Sequence, residues 1–403
     1  MTNRSVLLAH PGTQYAPHLA RELVRHGLLH RFWTGFAVAG SGWLGGLLRY
    51  APGSIRRRLG KRLVDVPDTT LRTLPLLDWR ARKAARFVGD EAAFFERNRL
   101  FQEAIPVPEI RAAGVVIGFD TSSWLLARRA KEMGKRFILD QSIGHPSAKE
   151  RIFSDLRQRF PQWSTSAPLK AAEMVATERE EHELADIIVV PSQFVKETLV
   201  VEGVDERKIR VIPFGTNLEL FQPGPPRRQE ACPLVFLFVG SVSARKGTPV
   251  LLQAWRQWNP DNAELWLVGP GAIPTEEQSG LPSSVKVLGP RGRAEVAALM
   301  QKADVFVFPS FFEGLAQVQI EAQACGLPLI ATRESGADEL VDDGRTGCLV
   351  PAGDVGALEA AMRRFAEDGG LRLSMREQAI AGRERLSWMR YGDQWARLLK
   401  EVL

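Results

Sequence analysis

The sequence predicts an α/β chain of two doubly wound domains, each a parallel sheet covered by helices on both faces. Three observations point there. Short apolar runs rich in β-branched residues alternate with longer stretches of helical periodicity, the pattern of repeated strand–helix–strand units. The strand candidates are apolar almost throughout, as strands buried on both faces must be. The 403 residues, 45% hydrophobic and 25% charged, exceed one ordinary domain and fit two.

In the first half, strands are expected at Val6–Ala9, Phe32–Thr34, Val115–Ile117, Phe137–Leu139, Ile187–Val190 and Ile209–Ile212, with amphipathic stretches such as Leu19–Val24 and Leu125–Lys131 between them. A second set runs through Leu234–Val239, Leu265–Val268, Val285–Leu288, Val305–Phe308, Leu329–Ala331 and Leu349–Val350, with a helix over Val296–Met300. The polar, proline-rich run Gln222–Glu230 between the sets reads as a linker. It divides the chain into residues 1–222 and 223–386. The last segment, Ser387–Leu403, carries Trp388, Trp395, Leu398 and Leu399 at helical spacing and is expected to pack back on the first domain. Ligands of open α/β sheets sit beyond the carboxyl ends of the strands. Two facing domains of this kind make a cleft.

Composition narrows the function classes. No apolar run approaches the roughly 18–20 residues of a membrane-spanning helix. Met1–Arg4 runs directly into the first strand without the basic head, apolar stretch and cleavage site of a signal peptide, which predicts a cytoplasmic chain. Cys232, Cys325 and Cys348 form no CxxC pair and are expected to be free thiols. The net charge of +6 suits anionic partners. No nucleic-acid recognition motif accompanies it.

The chemistry concentrates in residues 308–328, FPSFFEGLAQVQIEAQACGLP. A strand, Asp304–Phe308, ends at Pro309, and a helix is expected from near Leu315, with Leu315, Val318, Ala322 and Cys325 as its buried stripe and Gly326 as its end. Gly314 at the helix entrance leaves room for a ligand, and the unpartnered amides near Gly314 and Leu315 suit a phosphate. Two carboxylates, Glu313 and Glu321, bracket this point. Both accept hydrogen bonds from sugar hydroxyls, Glu313 from a transferred sugar and Glu321 from a ribose. By spacing alone, a helix cap at Glu313 and a solvated Glu321 fit as well.

This stretch resembles the ExxxxxxxE motif of the retaining glycosyltransferases of family 4, which have the two-domain GT-B fold. Ala303–Ser310 before it, Ala324–Thr332 after it and Asp342–Pro351 further on resemble the same family, and the resemblance extends over residues 185–365. It implies a hexosyltransferase that moves a sugar with retention and without a metal, from a UDP-sugar, or GDP-mannose, to a saccharide or lipid-linked acceptor in cell-envelope or exopolysaccharide-type synthesis. No DxD-like cluster stands beside the expected donor site. A nucleotide-sugar epimerase on the same fold, or a non-catalytic nucleotide-sugar-binding protein, is the alternative.

The resemblance also assigns roles. Lys246, before Gly247, maps onto the family's diphosphate-facing lysine, where it neutralises charge on the leaving group. The family often has an arginine directly after the first glycine, Gly240, where this chain has Ser241. Arg245 is the candidate substitute, with a solvated loop residue as the other reading. Gly269 is expected to make room for the nucleotide, and Leu288 lies where main-chain groups meet the base.

The first domain carries fewer signals. Gly12, after the first strand, matches a family loop near the donor phosphates, with a plain turn as the alternative. Asp120 lies where relatives carry a catalytic-site histidine and is read either as contacting sugar or acceptor or as a helix cap. His10 and His145 are further candidates. Residues 42–63 place Trp43 and two leucine-rich faces beside Arg56, Arg57, Arg58, Lys61 and Arg62, a composition suited to an anionic membrane surface or to internal packing. The expected location is therefore cytoplasmic, with peripheral attachment to the inner face of the membrane through this segment.

Overall fold

The computed structural model describes residues 5–12, 14–40, 42, 62–163, 172–225 and 233–403. Fifteen strands are resolved among them. Those of the first part are β1 (Val6–His10), β2 (Leu29–Thr34), β3 (Val38–Ala39), β4 (Leu63–Val64), β5 (Leu71–Thr73), β6 (Val115–Phe119), β7 (Arg136–Asp140), β8 (Ile187–Val190) and β9 (Ile209–Val211). Those of the second are β10 (Leu234–Val239), β11 (Ala263–Val268), β12 (Val285–Gly289), β13 (Val305–Phe308), β14 (Leu329–Ala331) and β15 (Gly347–Leu349).

They form two parallel sheets, as expected. The first has the order β5-β2-β1-β6-β7-β8-β9 and the second β12-β11-β10-β13-β14-β15. β3 and β4 pair separately, and they and β5 escaped the sequence reading, being only two or three residues long. In each sheet the order reverses beside the first strand: between β1 and β6, and between β10 and β13. Those two switch points are where an α/β sheet leaves a crevice for a ligand.

Every residue of β1, β6 and β13 is buried, consistent with helices on both faces. The second core is built on aromatics: Phe236 lies edge-on to Trp255, and Phe238 stacks on Phe308 with centroids 5.8 Å apart. Trp255 comes from the Thr248–Trp258 helix, which buries Val250, Leu251, Leu252 and Ala254 beside it. Full burial of each such side chain is worth roughly 1.5–3 kcal/mol.

The chain crosses between the two parts twice, side by side. The Thr216 amide donates to the Leu386 carbonyl at 2.7 Å, and a Cβ on Gly215 would overlap the backbone of Ser387 and Trp388. Beyond this crossing the Trp388–Val402 helix, capped by Ser387 Oγ, packs Trp388, Tyr391, Trp395, Leu398 and Leu399 against Val6, Leu8, Leu19 and Leu23 of the first core. The last helix thus belongs to the first core, although it follows the second domain in sequence. In the other direction, Ala148, Phe153 and Leu156 of the Pro146–Arg159 helix join the second core.

Candidate functional site

The strand order brings the sequence candidates to the two switch points. His10 ends β1 and Gly12 follows it, and Asp120 follows β6. Gly240 follows β10, and the Pro309–Glu313 loop follows β13.

Glu313 is the centre of the second-domain half. Its Oε1 accepts from Lys246 Nζ at 2.5 Å, from the Arg245 guanidinium and from Ser310 Oγ at 3.1 Å. All three charged side chains are mostly buried. Two cations on one carboxylate leave a local positive excess in a poorly solvated site, which draws an anion. Burial pulls the Lys246 ammonium below its ordinary range, and the Glu313 carboxylate opposes that shift. The loop geometry comes from Gly247: at φ 73° it takes a left-handed turn, and a Cβ there would overlap the Pro309 carbonyl. The Lys246 turn consequently lies directly on the strand end that leads to Glu313.

Two expectations for this stretch are corrected. The helix starts at Gln317, not near Leu315, because Gly314 and Leu315 are part of the loop that meets the other domain. Nor does it carry a one-sided stripe: Gln319, Ile320, Glu321, Ala322, Gln323 and Ala324 are all buried, and Val318 is half-buried. The side-chain amides of Gln319 and Gln323 are accommodated by donating to the carbonyls of Ser335 and Leu340. Glu313 caps no helix, since the cap position is Ala316. Glu321 is not solvated, with 5% of its surface exposed.

Gly314 joins the two halves. A Cβ on it would overlap the Ser142 carbonyl of the first domain, and its own carbonyl accepts from Ser192 Oγ at 2.5 Å. Ser142 in turn donates its amide to Asp120 Oδ1 at 3.0 Å. The preceding Phe312 is fully buried between Phe153 and Phe194 of the first domain. Among the described residues the amides of Gly314 and Leu315 have no acceptor.

Gly240 and Gly269 meet each other: Gly269 has φ 145°, and a Cβ there would overlap the Gly240 carbonyl. The Gly269 amide donates to the carbonyl of Gly289, next to half-buried Leu288. Glu321 lies in a separate pair, with Oε1 2.6 Å from Arg293 Nη2. Burial pushes its carboxyl up to about 7, against the pull of Arg293. Ser241, where the family often has arginine, contacts Ser243. Arg245 reaches Glu313 instead.

In the first domain, Asp120 is not a helix cap, since the following helix begins after Ser123. Its loop is held by unusual means. Thr121 has φ 61°, a strained value for a β-branched residue. Buried Glu181 accepts from the amides of Thr121 and Ser123 at 2.8 and 2.7 Å, and Asn98 Nδ2 donates to the Thr121 carbonyl. His10 contacts Gly12 through Nδ1, and burial lowers it to about 4, so the ring is neutral at pH 7. His145 caps the Pro146–Arg159 helix by accepting from the Ser147 amide.

The tertiary structure therefore gathers Arg245, Lys246, Glu313, Gly314 and, through Ser142, Asp120. Four contributors escaped the sequence reading: Ser310, Ser142, Ser192 and Arg293. None stands in a recognisable pattern, and three of the four act across large sequence separations. Cys325 is a buried free thiol and Cys348 a half-buried one. Cys232 and residues 43–61 of the basic segment lie outside the described residues, as does most of the proposed linker.

Residues 233–368 match the family model for glycosyl transferases group 1. The chain is 30% identical over 388 residues to D-inositol 3-phosphate glycosyltransferase of Corynebacterium diphtheriae, covering 87% of this chain and 88% of that protein. It is 30% identical over 243 residues to the Corynebacterium jeikeium protein of the same name, covering 54% of this chain but only 58% of that one. A crystal structure of Anabaena HepE in complex with UDP and glucose superposes with a TM-score of 0.64 at 18% identity, covering 98% and 99% of the two chains. That likeness shows the shared GT-B fold. With two parallel-sheet domains and a relative matched along nearly its whole length, the chain belongs to the group 1 glycosyltransferases.

Proposed function

We propose that the chain transfers a sugar from a nucleoside-diphosphate sugar to an acceptor hydroxyl, with retention of anomeric configuration and without a metal ion. A UDP-sugar is the favoured donor and GDP-mannose the next. The observation that carries this reading is the double cation on Glu313. In the resting site Lys246 and Arg245 share one carboxylate. With a donor present, the diphosphate takes the two cations and the amides of Gly314 and Leu315, and Glu313 turns to accept from hydroxyls of the transferred sugar. The leaving diphosphate then develops its charge against Lys246. Glu321 accepts from the ribose, while Gly240, Gly269 and the main chain at Leu288 border the nucleotide. Gly12 and Asp120 close the site from the first domain.

The acceptor is a saccharide, a lipid-linked saccharide or a phosphorylated polyol of the kind in the names of the corynebacterial relatives. Attachment to the inner face of the membrane through residues 42–63 would suit the lipid-linked case and a role in envelope or exopolysaccharide synthesis. The test is a panel of UDP- and GDP-sugars with these acceptors, read by release of the nucleoside diphosphate and by the anomeric coupling of the product, with and without EDTA. One productive pair, retained configuration and indifference to EDTA are expected. Nucleotide release with an altered sugar and no acceptor product would replace transfer by epimerisation.

A further inference from the structure

The carboxylate of Glu321 is held by a residue that belongs to no recognised motif. Arg293 is the first residue of the Arg293–Lys302 helix, directly after the Gly292 cap. A cation there faces the positive end of the helix dipole, an unfavourable position. It is offset by Glu321, whose Oε1 takes a hydrogen bond from Nη2 at 2.6 Å, and by the Phe221 ring, whose centroid lies 5.3 Å from the guanidinium. The two partners are unequally exposed: 61% of the Arg293 side chain and 7% of the Glu321 side chain. The carboxylate is thus buried and the guanidinium mostly exposed. Glu321 Oε2 accepts from no donor among the described residues.

We infer that Arg293 is a positioning residue for the donor, holding Oε1 of Glu321 so that Oε2 is presented to the ribose hydroxyls. This rests on the reading of Glu321 as the ribose ligand. An ionised carboxylate accepts from both hydroxyls of a ribose, with charge-assisted bonds about twice as strong as neutral ones. Burial works against that ionised form, and Arg293 is the cation that favours it. Burial pushes the thiol of Cys325, one turn beyond Glu321, up to about 12, against the pull of Arg383 and Arg376. Burial lowers His18, from the Ala16–Arg25 helix of the first domain, to about 4, and the charges of Arg21 and Arg293 add to the shift. Neither changes charge near neutrality. Replacing Arg293 by alanine therefore moves the Glu321 titration to higher pH and favours the protonated carboxyl.

The experiment is calorimetry with UDP, GDP and their 2′,3′-dideoxy counterparts, from pH 6 to 9, on the wild-type chain, Arg293→Ala, Arg293→Lys and Glu321→Gln. For the nucleotide that binds, Arg293→Ala is expected to weaken the ribo form about tenfold at pH 7 and the dideoxy form by less than about twofold. The loss should shrink toward pH 9, and Arg293→Lys should restore part of it. An equal loss for ribo and dideoxy forms at every pH, no loss, or tighter binding would overturn the role of Arg293. A different failure marks the underlying reading: a wild-type chain that binds neither nucleotide, or binds ribo and dideoxy forms alike with Glu321→Gln unchanged, removes the ribose from Glu321 and this inference with it.

Discussion

Gly314 of the second domain and Ser142 of the first are in backbone contact, with no space between them for a Cβ. The contact matters because each residue is tied to a candidate site group. Gly314 follows Glu313 in the chain, and the Ser142 amide is bound by Asp120. Gly314→Ala is therefore expected to push the two halves apart. Overpacking of this kind costs roughly 1–3 kcal/mol. Thermal unfolding should show a lower melting temperature, and transfer should fall about tenfold or more, because a misplaced reacting group is costly. A variant with wild-type stability and turnover would mean that the contact is not kept in the working enzyme.

Removal of Glu313 and Glu321 tests the two carboxylates separately. Each Ala variant loses hydrogen bonds to a charged group, worth roughly 1.5–3 kcal/mol, or about tenfold to a hundredfold in transfer. Circular dichroism should show both folded. Near-normal turnover in both would refute the site.

Lys246 is expected to favour diphosphates over monophosphates. In the Lys246→Ala variant, affinity for UDP or GDP should drop by more than affinity for the matching monophosphate, since the ammonium faces the distal phosphate. The Lys246→Ala change also leaves Glu313 with Arg245 as its one cation. Calorimetry with both nucleotides decides it, and equal losses would remove Lys246 from that phosphate.

His18 is expected to make stability depend on pH. Its ring is stacked on Trp388 at 4.1 Å, and burial lowers it to about 4 from 6.5. A base with a depressed folded value is protonated more readily when unfolded. Its contribution is therefore present above pH 6.5 and is lost as pH falls toward 4. His18→Phe keeps a ring on Trp388 and removes the titration. The wild-type chain should lose about 2 kcal/mol relative to that variant between pH 7 and pH 4, after allowance for partial exposure. Parallel stability curves for the two proteins would contradict the shift.

The membrane proposal has its own test. On the Pro75–Val88 helix Leu76 and Trp79 are 72% and 62% exposed, with Lys83 beside the Trp79 ring. These apolar side chains add to the basic segment read from sequence. Co-sedimentation with liposomes should require anionic lipid, weaken in high salt, and weaken further when Arg56, Arg57 and Arg58 become glutamine, at about 1 kcal/mol per charge near the surface. Indifference to anionic lipid at low salt would leave residues 42–63 as internal packing.

The alternation of strands and helices was legible in the sequence because burial on both faces leaves a continuous apolar run, as in VFVF of β13 or VLLAH of β1. Gly247 and Gly314 also announced themselves as glycines beside charged residues. The helix start at Gln317 was not legible. Leu315 has the spacing of a helical residue but is buried in the loop whose Gly314 meets the other domain, and local periodicity cannot distinguish the two. The partners of the candidate carboxylates depended on tertiary structure as well. Ser310 reaches Glu313 through the fold of their shared loop, Arg293 reaches Glu321 from a neighbouring helix, and Ser142 reaches Gly314 only because two domains meet. The sequence by itself determined which residues carry charge and which segments must be buried, since both follow from side-chain chemistry and period. Which cation faces which carboxylate was decided by the tertiary structure, because ion pairs and backbone contacts across 28 to 172 positions (Arg293 to Glu321, Ser142 to Gly314) leave no local trace in the chain.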